Sequence, residues 1–283
     1  MARLWVDSLH EPKMPIQTSQ VKLGLSDLVA MSFSAILIAA IFFISLVLTM
    51  VGLGGGLVFS PLFVILGFAK SQAASASLFL NLAAAASAAW AYSRRKMVDF
   101  SVSIPLIVAS SLAAPAGSCL NLRMDTKPFL IVMAVVLALA GARMLMSPAR
   151  EKEGCSDLSR SKKIAGGLAI GACIGLMGGL LGIGGGVFVV PLLIYILKTP
   201  TKIAAASSTF IVCFASLTGF LGYAAIGPID WGFILPAALA SFAGGQLGAR
   251  IMSAHLKTKS IRVIFSLVLF AMCAKLIHRF FFG

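Results

Sequence analysis

The 283-residue sequence predicts an all-α, polytopic membrane protein: an internal duplication of a four-helix unit with a glycine-broken first helix in each half. Three observations carry this fold class. Hydrophobic residues make up 59% of the chain and charged residues 11%, with a mean hydropathy of +1.01, too little polar surface for a soluble domain of this size. Several apolar runs approach the roughly 20 residues a helix needs to cross a bilayer, among them Leu28 to Val51, Ala73 to Ser93, Ile164 to Leu181 and Ile203 to Ile226. Finally, Gly52-Leu-Gly-Gly-Gly-Leu57 followed by Pro61 returns as Gly182-Ile-Gly-Gly-Gly-Val187 followed by Pro191, an offset of 130 residues (182 − 52). Barrel strands would be shorter and would alternate.

Each half reads as a helix ending in the glycine cluster, a short Pro-containing piece and three further helices. The first half gives Asp27 to Val51, Leu57 to Phe68, Gln72 to Ser93, Phe100 to Leu122 and Pro128 to Met146. The second gives Ile164 to Leu181, Val187 to Leu197, Lys202 to Ile226, Trp231 to Ala254 and Ser260 to Phe281. Val98-Asp99-Phe100 matches Ile229-Asp230-Trp231, Pro105 matches Pro236 and Gly117 matches Gly248, all at an offset of 131 (248 − 117). The resulting organisation is a tail over 1–25, a first transmembrane repeat over 26–146, a linker over 147–163 and a second repeat over 164–283. If the broken helix and its short piece make one crossing, there are about eight transmembrane helices plus half-helices. If the short piece returns as a separate crossing, each half has five and the repeats are inverted. The four-crossing path is favoured, although it strands Lys198, Lys202, Lys257 and Lys259 on the outer side.

The formal charge of +14 lies at the ends of apolar runs, as in Arg94-Arg95-Lys96, Lys162-Lys163 and Arg279. Charge so placed orients helices and meets anionic headgroups, so no nucleic-acid partner is expected. In the linker, Arg150, Lys152, Arg160, Lys162 and Lys163 outnumber the acids, which makes it cytoplasmic. Residues 1–25 lack the pattern of a signal peptide and read as a cytoplasmic tail. The five cysteines show no metal spacing, and no metal or cofactor is expected.

The glycine clusters cannot hold regular helix, because each Gly costs about 1 kcal/mol against Ala. In a bilayer, a break of this kind must line something polar, and matched breaks in two halves point to a transporter's binding site. Each short piece starts near the midplane with its first-turn N–H groups unsatisfied, and two such positive ends favour an anion. The expected substrate site is Gly52, Gly54, Gly55, Gly56 and Leu57 with Ser75, Ser77 and Asn81 of the first repeat. From the second repeat come Gly182, Gly184, Gly185, Gly186 and Val187 with Ser207, Ser208 and Thr209. The competing reading is close helix packing, which fits the stripe Gly167, Gly171, Gly175 and Gly179 best. Neither cluster continues as a P-loop or a dinucleotide fingerprint, since Leu57 and Val187 stand where those motifs need other residues.

No Asp or Glu lies inside an apolar segment. Asp99 and Asp230 are the candidates for a coupling role, and N-capping of the helices they precede is the alternative.

Taken together, these motifs resemble the TauE/SafE family of sulfite exporters over roughly residues 28 to 281: the two Gly-Xaa-Gly-Gly-Gly clusters with Pro five residues on, the Ala-rich serine segments, Arg94-Arg95-Lys96 leading to Val98-Asp99, and Leu247-Gly248-Ala249-Arg250. The resemblance implies a multi-pass permease of the bacterial cytoplasmic (inner) membrane that moves sulfite, sulfonates or related organic anions, usually outward. The first repeat departs from it with Ala76-Ser77 where Thr-Ser is usual, and the second lacks the basic turn. The expected function is a secondary transporter of small oxygen-rich anions. An anion channel and a carrier of small carboxylates are the alternatives, and a membrane enzyme would need convergent His, Asp, Glu or Cys that the sequence does not supply. The expected partners are the anion and the lipid bilayer, with self-association left open.

Overall fold

A computed structural model describes residues 35–123, 125, 160–195, 199–224 and 231–255, with scattered positions in 131–142 and 260–278. The chain divides into two compact units after Leu37. Of the first unit only residues 35–37, the first turn of a helix, are described.

The described residues form helices joined by short connections. They are α1 (Ala35–Met50), α2 (Gly56–Ile65), α3 (Lys70–Arg94), α4 (Phe100–Arg123), α5 (Arg160–Leu181), α6 (Gly186–Tyr195), α7 (Thr201–Ala224) and α8 (Trp231–His255). Four of them, α3, α4, α7 and α8, are long and apolar enough to cross a membrane. These bounds follow the expected elements closely because turn chemistry marks both ends, for example Asp99 before α4 and the glycines before α2 and α6. The expected helices at Pro128 to Met146 and Ser260 to Phe281 fall largely outside the described residues, as do the tail at 1–25 and most of the linker. The positions that are described there, such as Val135 and Leu267, are helical.

Packing contacts fix the directions of the helices. Ser45 meets Ser241, and a Cβ at Gly248 would meet Leu46 O, so α1 and α8 run the same way. The α3 helix joins them, since Ser241 donates to Leu80 O and Arg95 pairs with Ser253. In a second parallel group, a Cβ at Gly171 would meet Leu106 and one at Gly179 would meet Ala114, which aligns α5 with α4. Asp99 N donates to Ser207 Oγ and Ser118 Oγ donates to Gly219 O, which aligns α7 with α4. The two groups oppose each other, because Asn81 meets Ser216 while Leu78, earlier on α3, meets Gly219, later on α7.

The short helix α2 reverses the chain, contrary to the straight-through path favoured from the sequence. It begins beside Asn81, in the middle of α3, and ends with Phe63 against Phe233, near the start of α8. It therefore runs against α1, α3 and α8. The physical reason is in the break: Gly52 at φ +84 and Gly54 at φ +69 turn the backbone through a left-handed conformation that residues with a Cβ rarely adopt.

The interior is apolar and small-residue rich. Leu106, Ile174, Val189, Leu193, Ala204 and Ile211 form one core cluster where α4, α5, α6 and α7 meet. The outer faces are equally apolar: Leu112 is 77% and Leu239 71% exposed, on helices that also expose Ile104, Val108 and Leu235. So much contiguous apolar surface belongs in lipid.

Candidate functional site at the crossed glycine breaks

The two breaks meet at the centre of the fold, and their contacts are reciprocal. A Cβ on Gly52 would lie 2.5 Å from Ala205 Cα, and one on Gly182 would lie 2.7 Å from Ala74 Cα. A Cβ on Gly56 would lie 2.7 Å from Ile183 O, and one on Gly186 would lie 2.8 Å from Leu53 O. Ser77 Oγ donates to Gly182 O at 2.8 Å, and Ser208 Oγ donates to Gly52 O at 2.8 Å. Each contact thus recurs with its partners shifted by 130 or 131 residues. Only glycine lets the backbones approach so closely, which explains its density here.

These contacts bring two short helices together by their N-termini. At ten residues each, α2 and α6 are about 15 Å long, half of a hydrocarbon core. Their first-turn N–H groups and aligned peptide dipoles give the centre a positive potential. Among the described residues no Asp, Glu, Lys, Arg or His is buried, so no buried side chain offsets that potential with a formal charge.

Asn81 binds the two breaks to one another. Its Oδ1 accepts from Gly55 N at 2.6 Å and Gly56 N at 3.0 Å, while Nδ2 donates to Ser216 Oγ at 2.8 Å and Ile183 O at 3.2 Å. Ser77 also donates to Gly56 O at 3.0 Å. Gly54, Leu57, Gly184, Gly185 and Val187 are buried in the same centre.

The other expected residues are placed differently. Ser75 is buried on α3 with no hydrogen-bond partner for its hydroxyl. Ser207 accepts from Asp99 N at the start of α4, and Thr209 turns onto Ala205 O of its own helix. Asp99 Oδ1 accepts from the N and Oγ of Ser101, the geometry of an N-cap. Asp230 lies outside the described residues. The stripe Gly167, Gly171, Gly175 and Gly179 packs α5 on α4, as the packing reading has it.

Sequence reasoning missed the residues that close the helix ends beside the breaks. Tyr92 OH donates to Thr49 O at 2.9 Å and Tyr223 OH to Gly179 O at 3.0 Å, a pair visible in the sequence at the offset of 131 (223 − 92). Ser60 donates to Leu181 O and Asn121 Nδ2 to Leu180 O. Neither these two nor Ser216 has a polar counterpart in the other half, so the repeat pattern gave no signal for them.

Comparisons with known proteins place the chain among membrane transporters. The chain is 27% identical over 257 residues to "Probable membrane transporter protein YunE" of Bacillus subtilis (strain 168), which covers 83% of the chain and 94% of that protein. It is 25% identical over 238 residues to "Probable membrane transporter protein y4hK" of Sinorhizobium fredii, covering 84% and 96%. A "Probable membrane transporter protein" of Xylella fastidiosa (strain 9a5c) is 26% identical over 211 residues, covering 74% and 78%. No solved structure matches the chain. The family model described as "Sulfite exporter TauE/SafE" matches residues 37–276, nearly the whole described fold including both glycine breaks. With paired breaks in lipid-facing helices and a match of that extent, the chain is a membrane protein that belongs to the sulfite exporter TauE/SafE family of transporters.

Proposed function

We propose that this protein is a multi-pass secondary transporter of the bacterial cytoplasmic membrane that exports small oxygen-rich anions, such as sulfite, sulfonates or related organic anions. The observation that carries the reading is the reciprocal meeting of the two glycine breaks, which brings two half-helix N-termini to one buried, uncharged centre. Backbone amides and dipole ends hold an anion without the salt bridge that would slow its release.

The two halves are, in this reading, a duplicated unit inserted in opposite directions. Three described helices of the first half run against their counterparts in the second: α1 against α5, α3 against α7, α4 against α8. That arrangement also accounts for Lys202, one of the lysines stranded by the four-crossing path. The ends of α3 (Arg94, Arg95, Lys96) and α8 (Arg250) lie on the same side as the starts of α5 (Arg160, Lys162, Lys163) and α7 (Lys202). Among the described residues, the basic ones at the opposite ends are Lys70 at the start of α3 and Arg123 at the end of α4. The basic side is the cytoplasmic side by the positive-inside rule. Inverted repeats rocking about a central site give alternating access.

Sulfite counterflow in proteoliposomes tests the function. Wild-type protein is expected to show saturable counterflow, and Gly52→Val and Gly182→Val each to lose it by tenfold or more while still inserting in the membrane. Full transport by either variant sinks the proposal. Sustained current without counterflow would replace the carrier with a channel.

A further inference from the structure

The two halves of the central site are not equivalent, and the difference lies in one side chain. Asn81 fills the acceptor position over the first turn of α2, whereas the residue 131 positions on is Val212 (212 − 81). Val212 sets its methyl groups beside Gly184 and Gly186. Among the described residues no side chain accepts from the N–H of Gly185 or Gly186, the counterparts of the two amides that Asn81 holds. The backbone registers the difference. Gly55 stands at φ −108, while Gly185, its counterpart, stands at φ +81. Glycine permits either conformation at either place, so the choice is made by what surrounds it.

We propose that Asn81 is a tethered competitor of the transported anion. Its carboxamide oxygen occupies the α2 half of the site, its Nδ2 ties that half to Ile183 and Ser216, and the anion displaces the oxygen in order to bind. A hydrogen bond from an amide to an ionised acceptor is roughly twice as strong as one to a neutral carbonyl, so an oxyanion can take the Gly55 and Gly56 N–H groups from Asn81. Because the latch sits on one repeat only, the two conformations that exchange the roles of the repeats differ in energy. Asn81 therefore sets which of them is the resting state. This rests on reading the breaks as an anion site.

Three variants of the full chain test it, with sulfite as the probe: Asn81→Val, Asn81→Asp and Val212→Asn. Sulfite affinity and hydrogen–deuterium exchange of peptides spanning 50–60 and 180–190 are the two readouts. Asn81→Val is expected to speed exchange at 50–60 and to tighten sulfite binding on the order of tenfold, since the competing acceptor is gone. Asn81→Asp keeps an acceptor over α2 and adds a fixed negative charge, so exchange at 50–60 stays slow and sulfite binding is lost. Val212→Asn should slow exchange at 180–190 and weaken binding. Weaker sulfite binding by Asn81→Val would make Asn81 a direct ligand and overturn the proposal, whatever Asn81→Asp does. Exchange at 50–60 that ignores Asn81→Val overturns the latch even where sulfite binds normally. A wild-type protein that binds no sulfite removes the anion reading itself, and the competitor with it. If Asn81→Val does not fold, the other two variants still decide: sulfite binding retained by Asn81→Asp, or binding and 180–190 exchange unchanged by Val212→Asn, overturns the proposal.

Discussion

Ser77 and Ser208 show what a single hydroxyl does at this centre. Both donate to the carbonyl of the opposite break, and Ser77 also donates to Gly56 O. Removing either hydroxyl leaves a buried carbonyl without a partner, at about 1–3 kcal/mol. Ser208→Ala is expected to lower the thermal midpoint of the purified protein, and Ser77→Ala to lower it by at least as much, because the one hydroxyl proton of Ser77 is shared between Gly182 O and Gly56 O. Equal midpoints for wild type and both variants would show that these bonds contribute nothing net. At this scale the sequence was informative where the halves agree and silent where they differ. Ser77, Ser208 and the glycines stand out by repetition, while Ser216, Ser60 and Asn121 do not. Asn81 was legible as a polar residue one turn beyond Ser77, but two of its four bonds go to Ile183 and Ser216, more than 100 residues away.

The glycine-rich helices separate packing from conformational need. On α5, a Cβ at Gly175 would overlap Ser110 of α4 and one at Gly179 would overlap Ala114 O, whereas a Cβ at Gly166 meets nothing within 4 Å. Gly166→Ala should therefore be neutral or stabilise by up to about 1 kcal/mol through helix propensity. Gly175→Ala and Gly179→Ala should destabilise by about 1–3 kcal/mol by forcing α4 and α5 apart. Fluorescence-detected unfolding of the three variants checks the order, and a harmless Gly175→Ala would undo the packing assignment. The same residue type thus serves two purposes in one chain. The spacing of four revealed the stripe as packing, since a helix places such residues on one face. The clustered glycines pointed to a break, but the reversal at α2 depends on positive φ at Gly52 and Gly54, which spacing does not encode.

For the molecule as a whole, the inverted arrangement proposed above makes a labelling prediction. Cysteines introduced at Lys96, Lys202 and Arg250 should react with an impermeant maleimide only from the cytoplasmic side, and one at Arg123 only from the outside. Reaction of Lys202→Cys and Lys96→Cys from opposite sides would restore the four-crossing path. The sequence by itself determined the all-helical class, the element bounds and the matching breaks, because apolar length, Pro and Gly placement and self-similarity are local or periodic signals. Which way each helix runs, and that the breaks cross so that each half closes the other's carbonyls, was decided only by tertiary structure. Hydrophobicity puts a helix in lipid in either direction, whereas direction and pairing are set by close backbone contacts between residues far apart in the chain, such as Gly52 with Ala205 and Gly182 with Ala74.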